Sequence, residues 1–263
     1  MKCAESEGAQ VSFKKMIEHS DDYVQYCRET AKRARDPHDL ALRGRDKHAL
    51  TQRIHRQIVE AIGLGADDDL VDIGCGDGTL LRMAKEAGVK SALGLLATDE
   101  EVSILRRSGL NVKQGLTHQL PLPDQCASVI VCNNVLLVVP REKIPATLRE
   151  MYRVAKPGAR IFVGEIPFIE PPDPSPKFAT RKEMLSFLYR QHGLRTWFGM
   201  FRRMAYWQIT GKPAVINSGT ATSFWAVPEE FITLAKAAGL QTIRYWQHED
   251  PKTRNNYLLR KSE

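Results

Sequence analysis

The stretch LVDIGCGDGTLL, residues 70–81, limits the fold more than any other part of the chain. Residues of strand type run into three glycines at alternate positions, Gly74, Gly76 and Gly78, and apolar residues then open a helix. Glycines at such a turn let the backbone reverse sharply and let a ligand approach with no Cβ in the way. A dinucleotide fingerprint needs its third glycine three residues after the second, so this spacing does not fit it. No Gly-Lys-Ser/Thr follows, so there is no P-loop. Asp72 and Asp77 have the wrong charge for phosphate. They suit a ligand that carries an ammonium and a positive sulfur.

The rest of the chain repeats this strand-then-helix rhythm. Val71–Gly74, Ala92–Leu96, Val112–Leu116, Ser128–Cys132 and Ile161–Ile166 read as short buried strands. Thr79–Ala87 reads as a helix closed by Gly88. Thr98 with Glu101 has the spacing of a capping box, which starts another helix. Ile144, Leu148, Met151, Tyr152 and Ala155 share one helical face, and Lys156-Pro157-Gly158 is expected to stop that helix. Strands alternating with helices predict a parallel sheet covered on both faces. The rhythm breaks at PFIEPPDPSP, whose five prolines read as a stiff connector. A basic, aromatic helical stretch follows, from about Ala179 to Thr210. Pro228 then opens a helix ended by Gly239, and QTIRYWQHE and NNYLLRK read as the last two strands.

Charge and cysteine content narrow the setting. The net charge of +7 is concentrated in two segments. Arg28–Arg56 holds nine Lys/Arg against four acids, and Phe178–Lys212 holds seven against one. Basic segments on a mildly acidic core suggest an anionic partner beside them, although a solvated face is the commoner use of such charge. Five scattered cysteines do not make a disulfide framework. Cys126 and Cys132 read as free buried thiols, and the chain as cytoplasmic. MKCAESEGAQ has no apolar signal region, and Val129–Val139, the nearest to an apolar run, is too short to span a bilayer.

LVDIGCGDGTLL resembles the first motif of the class I S-adenosylmethionine-dependent methyltransferases. LPLPDQCASVIVCNNVLLVV resembles the family's Leu-Pro turn and fourth strand. LREMYRVAKPGARIFVGEIP resembles its next helix, Pro-Gly turn and fifth strand, and VPEEFITLAKAAGLQTIRYW its final helix and sixth strand. The resemblance implies an α/β, Rossmann-like seven-stranded sheet with the last strand antiparallel and helices on both faces. It implies a core at 47–166 and 224–263, an N-terminal helical lid at 1–46 and a helical substrate-lid insert at 167–223. It implies that S-adenosylmethionine lies across the carboxyl ends of the strands, against Asp72, Gly74, Cys75, Gly76, Asp77, Leu96, Ala97, Thr98, Leu116, Thr117, Asn133 and Asn134.

Two of those positions depart from the family pattern. The second strand usually ends in an acid, two residues before the helix cap, that grips the ribose hydroxyls; here Leu96 stands there. The third strand usually ends Gly-Asp-Ala, with the Asp on the adenine amino group; here the triplet is Gly115-Leu116-Thr117. Each lost charge-assisted hydrogen bond costs about 1.5–3 kcal/mol unless replaced. Thr98, Thr117, Gln119 and backbone groups are the available replacements, and Leu96 and Leu116 could sandwich the adenine. The alternative is a degenerate scaffold that binds without catalysis.

Methyl transfer needs positioning above all, and for a hydroxyl or amine nucleophile also a base. Glu165, at the end of the fifth strand, and His192, in the insert, are the candidates. No His/Cys cluster has metal spacing, so no metal is expected. The expected substrate is a small or medium-sized metabolite, with an anionic glycan or glycolipid precursor fitting the basic segments. RNA is the alternative, not favoured because no recognisable RNA module accompanies the charge. Peripheral membrane contact through Ala179–Thr210 is a further reading. The sequence assigns no oligomeric state.

Overall fold

The computed structural model describes residues 24, 27, 28, 30–32, 34, 36–40, 48–168, 224–248 and 252–262. The expected insert therefore lies outside the described residues, apart from Pro167 and Phe168, and His192 lies outside them with it.

Helix α1 (His48–Ile62) leads into β1 (Asp69–Ile73), the glycine turn and α2 (Thr79–Glu86). There follow β2 (Ser91–Leu96), α3 (Asp99–Arg107), β3 (Val112–Gln114), β4 (Ala127–Asn133), α4 (Ile144–Val154) and β5 (Ala155–Pro167). Helix α5 (Pro228–Ala237), β6 (Leu240–Gln247) and β7 (Arg254–Lys261) close the fold. The seven strands form one sheet in the order β3-β2-β1-β4-β5-β7-β6. Strands β1 to β5 pair in parallel, and β7 runs antiparallel between β5 and β6. This is the expected class. The order reverses beside β1, where β2 lies on one side and β4 on the other, and open α/β sheets bind ligands at such a crevice.

Alternation along β4 shows why the sheet is covered on both faces. Val129 and Val131 pack with Ile54, Ile58 and Leu80 of α1 and α2, whereas Ile130 and Cys132 pack with Leu148 and Met151 of α4. Every other side chain of a strand faces the same layer, so a strand buried on both sides reads as an unbroken apolar run. Among the described residues no helix is long and apolar enough to cross a membrane.

Two boundaries differ from expectation. Helix α4 ends at Val154, ahead of the expected stop at Lys156-Pro157-Gly158, and Ala155, expected on the helical face, begins β5 and pairs with Ala127. The register then shifts before Val129 meets Arg160, with Gly158 at φ 72° taking up the extra backbone. The third strand ends at Gln114 rather than Leu116, because the chain turns back and Leu116 bridges to Gln119.

Arg160 ties the lower edge of the sheet to α1. Its guanidinium donates to both carboxylate oxygens of Asp68, at 2.5 and 2.7 Å, and to the Ile62 and Gly63 carbonyls, each at 2.6 Å. Burial alone would raise the Asp68 pKa, but the Gly65 amide, Arg160 and Ser128 together hold it below the ordinary carboxylate value. Arg160→Ala should strand that carboxylate and cost about 2–4 kcal/mol in urea unfolding. The contribution of Asp68 is present above its unfolded pKa and is lost as pH falls through its lower folded value.

Candidate functional site

A cavity of about 440 Å³ opens over the carboxyl ends of β1, β2 and β4. The glycine turn forms its floor. The amides of Gly74 and Cys75 donate to the Leu95 carbonyl at 2.9 and 3.2 Å, which fastens the turn to the end of β2. Gly74 and Gly78 adopt φ of 72° and 76°, and a Cβ on them would come within 2.4 Å of Val135 and 2.3 Å of Leu110, respectively. Gly76, at φ 53°, differs: a Cβ there would meet nothing within 4 Å, and the residue lines the cavity. Its missing side chain leaves room for a ligand rather than for the protein.

Asp72 stands at the end of β1, 4% exposed. Among the described residues none makes a hydrogen bond or ion pair with its carboxylate, and burial, then the nearby charge of Asp77, push its pKa up to about 7. Asp77 is committed differently. Its Oδ1 accepts from the Thr79 amide at 3.0 Å, capping the first turn of α2, and its Oδ2 lies 3.2 Å from Nδ1 of His38. Burial raises the Asp77 pKa, but these hydrogen bonds bring the net shift below the ordinary value.

Of the twelve residues expected around the cofactor, eleven line this one cavity: Asp72, Gly74, Cys75, Gly76 and Asp77 from the turn, Leu96 and Ala97 after β2, Leu116 and Thr117 after β3, and Asn133 and Asn134 after β4. Thr98 does not line it. Its hydroxyl accepts from the Glu101 amide at 3.3 Å and donates to Glu101 Oε2 at 2.9 Å, so the capping box uses it up. Thr117 shares its hydroxyl with Thr147, 3.1 Å away.

Glu101 is the residue the sequence reading missed. It is 8% exposed, lines the cavity with Leu96 and Ala97, and receives the Thr98 amide at 3.1 Å. Burial raises its pKa despite the bonds from Thr98 and Cys27. Its part in the capping box with Thr98 turns it inward, five residues after Leu96. Thr51 and His55 of α1, and His118 after β3, also line the wall. Burial, then Lys143, lower the His118 pKa.

Glu165 does not line the cavity. It is wholly buried, at φ 59° where the β5–β7 register shifts. Its Oε1 accepts from Asn133 Nδ2 at 3.2 Å and its Oε2 from Arg254 Nη1 at 2.8 Å, while Arg254 also donates to Asn134 Oδ1 at 2.8 Å. With both oxygens engaged, this carboxylate is arranged to hold the two asparagines at the end of β4. Gly164 makes room for them, since a Cβ there would come within 2.1 Å of Asn133 Oδ1.

Comparison with known proteins bears on this geometry. A family model described as "Methyltransferase domain" matches residues 71–163. The chain is 36% identical over 104 residues to a malonyl-[acyl-carrier protein] O-methyltransferase of Serratia marcescens, covering 38% of this chain and 40% of that protein. It is 29% identical over 119 residues to a demethylmenaquinone methyltransferase of Symbiobacterium thermophilum, covering 41% and 47%. The matches thus span less than half the length of these curated relatives. The fold matches magnesium protoporphyrin IX methyltransferase of Synechocystis PCC 6803, solved with S-adenosylhomocysteine bound, at TM-score 0.52 and 14% identity over 81% of this chain and 84% of that one.

Raised above its unfolded value, the Asp72 pKa favours folding at low pH and costs stability as pH rises through about 7. Asp72→Asn should therefore leave the ligand-free protein more stable than wild type at about pH 8 and little changed at about pH 4, as read by urea unfolding at the two pH values. Residues 71–163 thus match a methyltransferase domain, and the chain as a whole has the fold of the methyltransferase structure it resembles, with the cavity lying over the glycine turn.

Proposed function

We propose that this chain transfers the methyl group of S-adenosylmethionine to a small metabolite. The observation that carries the reading is the buried, unneutralised Asp72 beside the open space at Gly76, on the floor of a 440 Å³ cavity at the reversal of strand order. A cationic amino acid end suits that carboxylate, and a bulky nucleoside needs the room. The cofactor would supply a sulfonium methyl for in-line displacement. Asp72 would hold its ammonium, the backbone of Gly74–Gly78 would approach it closely, and Leu96 and Leu116 would cover the base. Glu101 would accept the ribose hydroxyls in place of the acid missing at Leu96. Asn133 and Asn134, braced by Glu165 and Arg254, would border the reacting end. Positioning supplies much of the rate in such a displacement.

The relatives, whose names specify malonyl-[acyl-carrier protein] and demethylmenaquinone, support this substrate class. The narrower expectation of an anionic glycan or glycolipid precursor rests on the charge of the two basic segments alone. A reducing, cytoplasmic setting agrees with Cys27, Cys75, Cys126 and Cys132, none of which is in a disulfide. His192 is retained as a candidate base from the sequence.

Calorimetry with S-adenosylhomocysteine tests the cofactor part. Gly76→Val should abolish measurable binding by filling the ligand's space. Glu101→Gln keeps the capping box, since Gln also serves at that position, and should weaken binding about tenfold to a hundredfold. The 2′,3′-dideoxy analogue should bind wild type and Glu101→Gln nearly alike. Full-strength binding to Glu101→Gln would remove Glu101 from the ribose site, and no binding to wild type at millimolar ligand would remove the reading altogether. For the substrate, methyl transfer from labelled S-adenosylmethionine should appear on malonyl thioesters, quinols or acidic glycans rather than on RNA.

A further inference from the structure

At the rim of the cavity three side chains from separate parts of the chain converge on one point. His38 lies in the short turn Pro37–Leu40, His48 opens α1, and Asp77 belongs to the glycine turn. One ligand atom from each lies within 4.8 Å of the other two. Nδ1 of His38 is 3.2 Å from Asp77 Oδ2, and Nδ1 of His48 is 3.8 Å from the same oxygen. The two imidazole rings meet edge to face, with centroids 4.4 Å apart.

Hydrogen bonding within the cluster is incomplete. His38 is close enough to Asp77 for a hydrogen bond, but His48 is too far, and its Nδ1 is a buried ring nitrogen with no partner. Such a group loses its hydration without compensation. Asp77 contributes only one oxygen here, because the other caps α2. Behind His48, the amide of Gln52 stands 3.0 Å from Nε2. With its oxygen turned to the ring, that amide accepts the Nε2 proton and leaves the Nδ1 lone pair facing the cluster, as the outer partner of a metal-bound histidine does.

We propose that His38, His48 and Asp77 bind one divalent transition-metal ion of the zinc class. Two imidazoles and a single carboxylate oxygen suit zinc, cobalt or nickel rather than calcium or magnesium, which demand more oxygen ligands. Ligands of a tetrahedral zinc site lie roughly 3.3 Å apart, close to the His38 and Asp77 separation, so side-chain rotation of His48 completes the triad and water fills the remaining position. Asp39, Leu40, Thr51 and His55 of the same two elements line the cavity. A metal at the rim would join that wall to the glycine turn, and would offset the Asp77 charge that helps raise the Asp72 pKa. The site stands whether or not the cavity accepts S-adenosylmethionine.

The test uses the full-length protein stripped with a chelator and dialysed. Cobalt(II) titration should give visible absorption bands that saturate at one ion per chain, and zinc should displace them. His38→Ala and His48→Ala, each shown folded by circular dichroism, should weaken zinc binding at least tenfold in competition with a chromogenic chelator. Zinc should raise the melting temperature of wild type and not of the double variant. Binding that survives both histidine substitutions would place the metal elsewhere, for example on cysteines, and overturn the proposal. No saturable binding by wild type at hundreds of micromolar metal would overturn it too. Titration without any methyl donor keeps this outcome separate from that of the cofactor experiments.

Discussion

Strand β1 carries the carboxylate of Asp72 into the molecule, where among the described residues no cation meets it. Burial and the neighbouring Asp77 both work against its ionisation. A folded chain tolerates such an arrangement when a bound ligand supplies the missing charge. The surrounding geometry is consistent with that role. Alternation along β1 sends Leu70 and Asp72 toward the α1 layer, while Val71 and Ile73 enter the α4 layer. Asp72 is thus fixed by the same period that builds the core.

The glycine turn makes the position of Asp72 usable. Its backbone is tied to Leu95 at the end of β2, and its left-handed residues lie against Val135 and Leu110, which allow no side chain on Gly74 or Gly78. Only Gly76 opens toward solvent space. Behind the end of β4, the buried Glu165 and Arg254 pair sits in a register shift of the sheet and holds Asn133 and Asn134, which line the cavity. The acids of the cavity and this polar brace are thus set at the ends of four adjacent strands.

Much of this was legible from local pattern. The β1–turn–α2 unit depends on contiguous residues, and eleven of the expected cavity residues follow once each strand end is placed. The capping box at Thr98 was also readable, because its partners are three residues apart. What the sequence hid depends on which way a helix faces or on distant pairing. That Glu101 lines the cavity follows from the packing of α3 against β2 and the N-terminal residues, not from its spacing. Glu165 drew notice because it ends a strand, but its pairing with Arg254, 89 residues away, could not be read from the sequence. The meeting of His38 and His48 at Asp77 joins three elements that share no motif. The early start of β5 depends on Ala127, its partner across the sheet, and so escaped a reading based on the Pro-Gly stop.

In the proposed function Asp72 ionises to receive a cationic ligand. Proton release on binding reports that ionisation. S-adenosylhomocysteine should be titrated calorimetrically near pH 7 in two buffers of different ionisation enthalpy. If the Asp72 pKa falls from about 7 as the ligand binds, a substantial fraction of a proton leaves per ligand, and Asp72→Asn removes that release. Tight binding to wild type with no buffer dependence, or the same release from Asp72→Asn, would show that Asp72 does not ionise on binding.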